Sequence, residues 1–183
     1  MKNSSKILIA IISAVVLAGI VFFFWQRGLH LPRAQTPQAP GTFILKNQLV
    51  FAGYKTPEAA LESMVWASMH GDYDAHLASI PPEEQAEIIK RVGSPARFKS
   101  QAAKRSSQLR GFEIMARKNV SSDNVELKIQ IVETGGDYNQ GETNLVIFTA
   151  VKIGNEWKFD RADYISDYET NWNNSGDVVT FAN

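Results

Sequence analysis

The chain has 183 residues, with 19 basic against 19 acidic side chains, no cysteine and 44% hydrophobic residues. A formal net charge of zero gives no global attraction for nucleic acid or for strongly charged substrates. The absence of cysteine excludes disulfide staples and thiolate metal centres, and it leaves the compartment open.

Residues 7–25 are nineteen consecutive positions with no charge and a single hydroxyl, Ser13. As a helix such a run extends roughly 28 Å, close to the hydrocarbon thickness of a bilayer, so the sequence predicts a single-pass transmembrane anchor. The run is longer than a signal-peptide core and no small-x-small cleavage site follows Trp25. Leu17-Ala18-Gly19 resembles the start of a lipoprotein box, but Ile20 stands where the cysteine would be. Lys2 and Lys6 before the run, against Arg27 and Arg33 after it, place the N-terminus inside. Residues 1–6 are then a cytoplasmic tail, and the folded part is extracytoplasmic, periplasmic in a Gram-negative host. Pro32, Pro37 and Pro40 mark residues 26–45 as a semi-rigid linker. Residues 46–165 supply one α+β domain, and 166–183 a polar C-terminal tail in which Val178, Val179 and Phe181 offer a short closing strand or a docking motif.

Four helices are predicted in succession. Thr56 is a good N-cap, Pro57 suits the first helical position, Glu58 complements the dipole, and Gly71 stops the helix. Within it Leu61, Met64, Val65 and Ser68 form a stripe at helical spacing, with Ala60 and Ala67 beside it. Asp72 caps a short second helix carrying Tyr73, His76, Leu77 and Ile80. Pro81-Pro82 opens a third, with Ala86, Ile88, Ile89 and Val92 before Gly93. Ser94-Pro95 opens a fourth, with Phe98 and Ala102.

The period then changes to 2. Phe112, Ile114 and Ala116 alternate with polar positions, and Val125, Leu127, Ile129 and Ile131 do so more cleanly. Leu145–Val151 is apolar on both faces and is expected to be central and covered on each side. Gly154-Asn155 suits a tight hairpin into Glu156–Arg161. The expectation is an α+β fold: an N-terminal transmembrane helix, then helices packed on a curved antiparallel sheet of about four strands.

Thr56-Pro57-Glu58-Ala59-Ala60-Leu61, then Trp66, then Gly71-Asp72-Tyr73, resembles the first helical hairpin of nuclear transport factor 2-like domains. The segment Gly154-Asn155-Glu156-Trp157-Lys158-Phe159 is similar to that superfamily's last hairpin. The resemblance covers roughly residues 54–165. It implies an α+β cone with an apolar pocket at its open end, and it extends to bacterial proteins that join a membrane anchor to such a domain. Enzymes of the superfamily place a carboxylate or histidine inside the cone, where burial raises an acid's pKa into the working range. No position of this chain matches such a residue. Asp160, Arg117 and Lys158 are interleaved as solvent-facing groups, so no catalytic residue is assigned and an enzyme is not the favoured reading.

His70, Asp72, Asp74 and His76 fall within seven residues. The two histidines flank a helix break instead of sharing a face, and Asp72 already serves as a cap, so no metal is expected. Asp137–Glu142 lacks the spacing of a calcium loop. No cofactor is expected. Trp66, Tyr73, Phe112, Phe148 and Trp157 are the candidate pocket aromatics, each of which could equally be core. No acid lies between Glu87 and Glu113, where Lys90, Arg91, Arg97, Lys99, Lys104, Arg105 and Arg110 occur. Acids predominate after Gly154, and such asymmetry binds anions, pairs subunits or is simply solvated.

The sequence thus favours a non-enzymatic, membrane-anchored scaffold or binding module acting through protein contacts of its sheet, as a homodimer or with an envelope protein. In this it is similar to inner-membrane scaffold subunits of type IV secretion systems and to accessory proteins of lipid importers. The alternative is a binder of a small apolar ligand, a lipid or isoprenoid, and third a lyase or isomerase. An open, mostly apolar cavity would favour the ligand, and one plugged by Trp66, Phe112 or Phe148 the scaffold.

Overall fold

In the computed structural model, which describes residues 34–36, 39–134, 143–165 and 177–181, a helical layer precedes most of a six-stranded antiparallel sheet. A two-residue strand, β1 (Ile44–Leu45), comes first. The helices α1 (Pro57–His70), α2 (Tyr73–Ala78), α3 (Pro82–Val92) and α4 (Pro95–Gln108) follow. The strands β2 (Leu109–Ser121), β3 (Asn124–Glu133), β4 (Thr143–Ile153), β5 (Glu156–Ile165) and β6 (Asp177–Thr180) complete the chain order. The sheet runs β1-β2-β3-β4-β5, with β6 also on β2.

Local chemistry accounts for the helix starts. Thr56 Oγ1 accepts the Ala59 N–H at 3.1 Å, Asp72 Oδ1 that of Ala75 at 3.0 Å, and Ser94 Oγ that of Arg97 at 3.3 Å. Each satisfies one of the donors that a helix end leaves without a partner. Gly71 ends α1 at φ 70°, and an added Cβ there would also lie 2.9 Å from the Lys99 backbone of α4. Glycine is therefore required twice at this junction, by conformation and by close approach.

The stripe expected on α1 is only part of what it buries. Its whole first half, Pro57 to Ser63, is enclosed, and so are two acids, Glu58 and Glu62. The cause lies in the preceding segment, where Leu49, Phe51, Ala52 and Tyr54 are themselves buried and cross α1. Ser63 Oγ donates to the Gly53 carbonyl at 3.0 Å, and Glu62 Oε1 accepts the Val50 N–H at 3.2 Å. Glu58 pairs with Arg117 of β2 at 3.1 Å.

The inner sheet face carries Phe112, Ile114, Val125, Leu127, Ile129, Ala150, Trp157 and Phe159 against Leu61 and Ala60 of α1. In β4 the inner residues Val146 and Ala150 are buried, but outward Leu145, Ile147 and Val151 are only half-buried. That corrects the expectation of cover on both faces. The cross-strand neighbours of the last two are charged or polar: Lys128 and Asp163 flank Ile147, and Asn124 and Lys158 flank Val151. Lys158 Nζ there meets the Glu156 carboxylate at 2.7 Å and lies 4.5 Å from the Tyr54 ring centroid.

Two further expectations are corrected. The sheet has more than the expected four strands, because β1 and β6 are too short to show alternation; both pair along one edge of β2. The expected transmembrane helix is not among the described residues, none of whose helices is long and apolar enough to cross a membrane. α1 and α4, at 14 residues each, extend roughly 21 Å, short of the ~30 Å a bilayer core requires. Residues 7–25 lie outside the described residues, as does 137–142.

Candidate functional site

Two cavities open between the helical layer and the inner sheet face. The first, about 310 Å³, is lined by Leu61, Val65, Ser68 and Met69 of α1, Arg105 and Gln108 of α4, Leu109 and Phe112 of β2, Ile129, Ile131 and Glu133 of β3, and Phe148 of β4. Eight of these twelve side chains are apolar. The polar four are Ser68, Arg105, Gln108 and Glu133.

The second, about 380 Å³, has an apolar floor that includes Met64, Ile80, Phe148 and Phe159, and a rim carrying His76, Glu84, Glu87, Arg91, Asp160 and Arg161. Phe148 borders both cavities and meets Phe159 edge to face at 5.7 Å.

Elements position the key groups as follows. Phe98, buried on α4, carries the Arg105 guanidinium 4.2 Å from its ring centroid and the His76 ring at 4.9 Å. Arg105 Nε donates to the Ser68 carbonyl at 2.9 Å, and Nη2 to the Phe98 carbonyl at 2.7 Å. Burial lowers the pKa of Arg105, yet the group stays charged. His76 shares a hydrogen bond through Nδ1 with Ser68 Oγ at 3.2 Å. Burial first, then the charges of Arg105 and Arg91, lower its pKa to about 4, so the imidazole is neutral at pH 7.

At the second cavity, β5 bulges. Thr149 pairs with Arg161 and Ala150 with Phe159, leaving Asp160 as the extra residue. Beside Asp160, the Glu84 carboxyl is pushed above its usual range by lost hydration first, then by Asp160 and the neighbouring negative charges. Arg161 pairs with Asp163 at 2.7 Å. The rim is thus a mixed-charge surface, and α3, which supplies Glu84, Glu87 and Arg91 to it, buries none of its side chains.

The five aromatic candidates separate. Phe112, 2% exposed, and Phe148 meet at the 310 Å³ cavity. Trp66 stacks on His70 at 4.4 Å and meets Phe51 at 5.7 Å. Tyr73 packs edge-on to Phe98 and donates from Oη to the Gly93 carbonyl at 3.2 Å. Trp157 belongs to the core. His70 and His76 are not brought together: His70 Nδ1 lies 2.9 Å from the Trp66 carbonyl, whereas His76 faces Ser68. Among the described residues no group of three or more His, Asp or Glu is placed to hold a metal ion. The buried acids Glu58 and Glu62 line neither cavity.

Sequence reasoning missed Arg105 as a site residue. The signal was present: Phe98, Ala102, Arg105 and Leu109 fall at one helical spacing, so a cation occupies an apolar stripe.

No family model matches the chain, and no curated protein matches it. Two solved structures are similar. One is a SEC-C motif containing protein from Rhodopseudomonas palustris, 11% identical over 61% of this chain and 80% of that one, with a TM-score of 0.47. The other is a SEC-C motif containing protein from Psychrobacter arcticus, 14% identical over 77% of this chain and 81% of that one, with a TM-score of 0.45. The solved structures found are SEC-C motif containing proteins, so the expected likeness to nuclear transport factor 2-like domains finds no support among them. The residues that carried the expectation show how little it rested on. Thr56, Pro57, Gly71, Asp72 and Gly154 cap helices or turn the chain, work that many unrelated folds require.

Proposed function

We propose that the domain binds a small, mostly apolar ligand in the 310 Å³ cavity between α1, α4 and the inner face of the sheet. The observation that carries this reading is the lining itself. Leu61, Val65, Met69, Leu109, Phe112, Ile129, Ile131 and Phe148 line it together with four polar side chains, the composition of ligand sites, and the volume reaches the lower end of their ~300–1,000 Å³ range. Of the aromatics that would plug it, Trp66 packs elsewhere, while Phe112 and Phe148 form wall and partition.

The test is titration of the full chain with N-phenyl-1-naphthylamine, a neutral probe that fluoresces in apolar surroundings. Saturable binding at one site, abolished by V65W, is expected. Loss of saturable binding in the wild type, or equal binding by V65W, would overturn the reading.

The scaffold reading is second, favoured by the outward β4 row of Leu145, Ile147 and Val151, with Ile153 37% exposed at its end. A self-associating sheet face would centre on such side chains. If so, I147D makes a dimeric full chain monomeric on analytical ultracentrifugation; a wild type that is monomeric at high concentration removes this reading.

A further inference from the structure

We infer that the ligand of the 310 Å³ cavity is an amphiphile with a single carboxylate head, seated on Arg105 with its tail along Val65, Phe112, Ile129 and Phe148. This rests on the cavity-binding reading above and adds the chemical class of the ligand.

Arg105 is the only cation among the lining residues. Of its five N–H donors, two are committed to backbone carbonyls, those of Ser68 and Phe98, which leaves three for another acceptor. The described ion pairs are Arg117–Glu58, Lys118–Glu126, Lys158–Glu156 and Arg161–Asp163, so Arg105 has no carboxylate partner among the described residues. Glu133 lines the same cavity from β3 but makes no ion pair with it; its Oε2 accepts from Asn144 Nδ2 at 3.4 Å. A half-buried guanidinium that keeps its charge without a counter-ion is an incomplete arrangement, and a ligand anion completes it. The planar fork suits a carboxylate, which it meets with parallel N–H bonds.

The surroundings favour the same sign of charge. α4 carries Arg97, Lys99, Lys104 and Arg105 with no acid, and Lys90, Arg91 and Arg110 flank it. None of these seven forms an ion pair with a described acid. Such a field raises the local concentration of anions and speeds their approach. It does not by itself explain a cation in the apolar wall, which is why the cavity and not the outer surface of α4 is assigned the head group.

The experiment is calorimetric titration of the full chain with decanoate, decan-1-ol and decylamine below their aggregation limits, three ligands with one tail and different heads. Decanoate is expected to bind at least about tenfold more tightly than decanol, the factor that one charge-assisted hydrogen bond supplies, with decylamine weakest. R105Q should abolish the preference for decanoate over decanol, whereas K99Q/K104Q keeps it. Equal affinities for decanoate and decanol in the wild type overturn the inference and leave cavity binding standing. No binding by any of the three, together with no saturable probe binding, overturns the cavity reading itself. A preference lost in K99Q/K104Q but kept in R105Q places the anion on the surface of α4 and overturns the inference. Should R105Q fail to fold, the wild-type series and K99Q/K104Q still decide.

Discussion

Arg105 of α4 donates from Nε to the carbonyl of Ser68 in α1 at 2.9 Å, across thirty-seven residues of sequence. Ser68 lies in the last turn of α1, where carbonyls lack a partner four residues on. The guanidinium therefore finishes one helix from another, and its positive charge suits the negative end of the α1 dipole. The bond to the Phe98 carbonyl and the stacking over the Phe98 ring hold it in place.

Removing that link should destabilise the fold. R105Q is expected to lower the unfolding free energy by about 2–3 kcal/mol in urea titration, and R105K by about 1 kcal/mol, since lysine keeps the charge but cannot serve both carbonyls. A change under ~0.5 kcal/mol in R105Q would show that the two hydrogen bonds contribute little.

His76 makes stability depend on pH. The unfolded chain takes up its proton near 6.5, the folded chain only at about 4. Between these values the unfolded state holds more protons, so acidification favours unfolding. The contribution is fully present above pH 6.5 and is lost as pH falls toward 4, by on the order of 3 kcal/mol. Glu84 acts in the opposite sense, because its folded pKa is raised. Comparing the wild type with H76Q isolates the histidine. Urea midpoints measured from pH 7.5 to 4.5 should show a steeper decline in the wild type; parallel curves would exclude the histidine as the cause.

Phe148 separates the two cavities. F148A should join them and cost about 3 kcal/mol, toward the low end of such truncations because the ring is half-buried. In a series of carboxylates of increasing length, wild-type affinity should level off before that of F148A. Identical length profiles would mean that the ring does not bound the ligand space.

Gly111 faces Leu45 in the β1–β2 pairing, and a Cβ at this position would lie 2.3 Å from the Ile44 carbonyl oxygen. G111A should therefore push β1 off the sheet. Hydrogen exchange at Lys46, whose N–H donates to the Arg110 carbonyl at 2.9 Å, is expected to accelerate at least about tenfold while β3 is unchanged. Protection retained at Lys46 would show that the backbone shifts without releasing the strand.

Legibility followed the range of the interactions. The helix starts at Thr56, Asp72 and Ser94 could be read because a cap and its recipient N–H are three residues apart. The alternation of Val125 to Ile131 could be read because a strand half-buried on one face repeats every second residue. The burial of Glu58 and Glu62 could not, since it depends on residues 49–54 crossing α1 and on Arg117 arriving from a distant strand.

By itself, then, the sequence determined the order of the four helices before the long strands β2 to β5, the positions where each helix begins, and the aromatic content from which Phe112 and Phe148 were drawn. Only the tertiary structure decided which aromatics meet, how β1 and β6 share an edge of β2, and that Arg105 stands in an apolar wall beside Ser68. The physical reason is that caps and alternation are set by neighbours along the chain. A cavity is set by where separate elements fail to fill the space between them, and residues 61 and 148 have no local relation that reveals they border the same space.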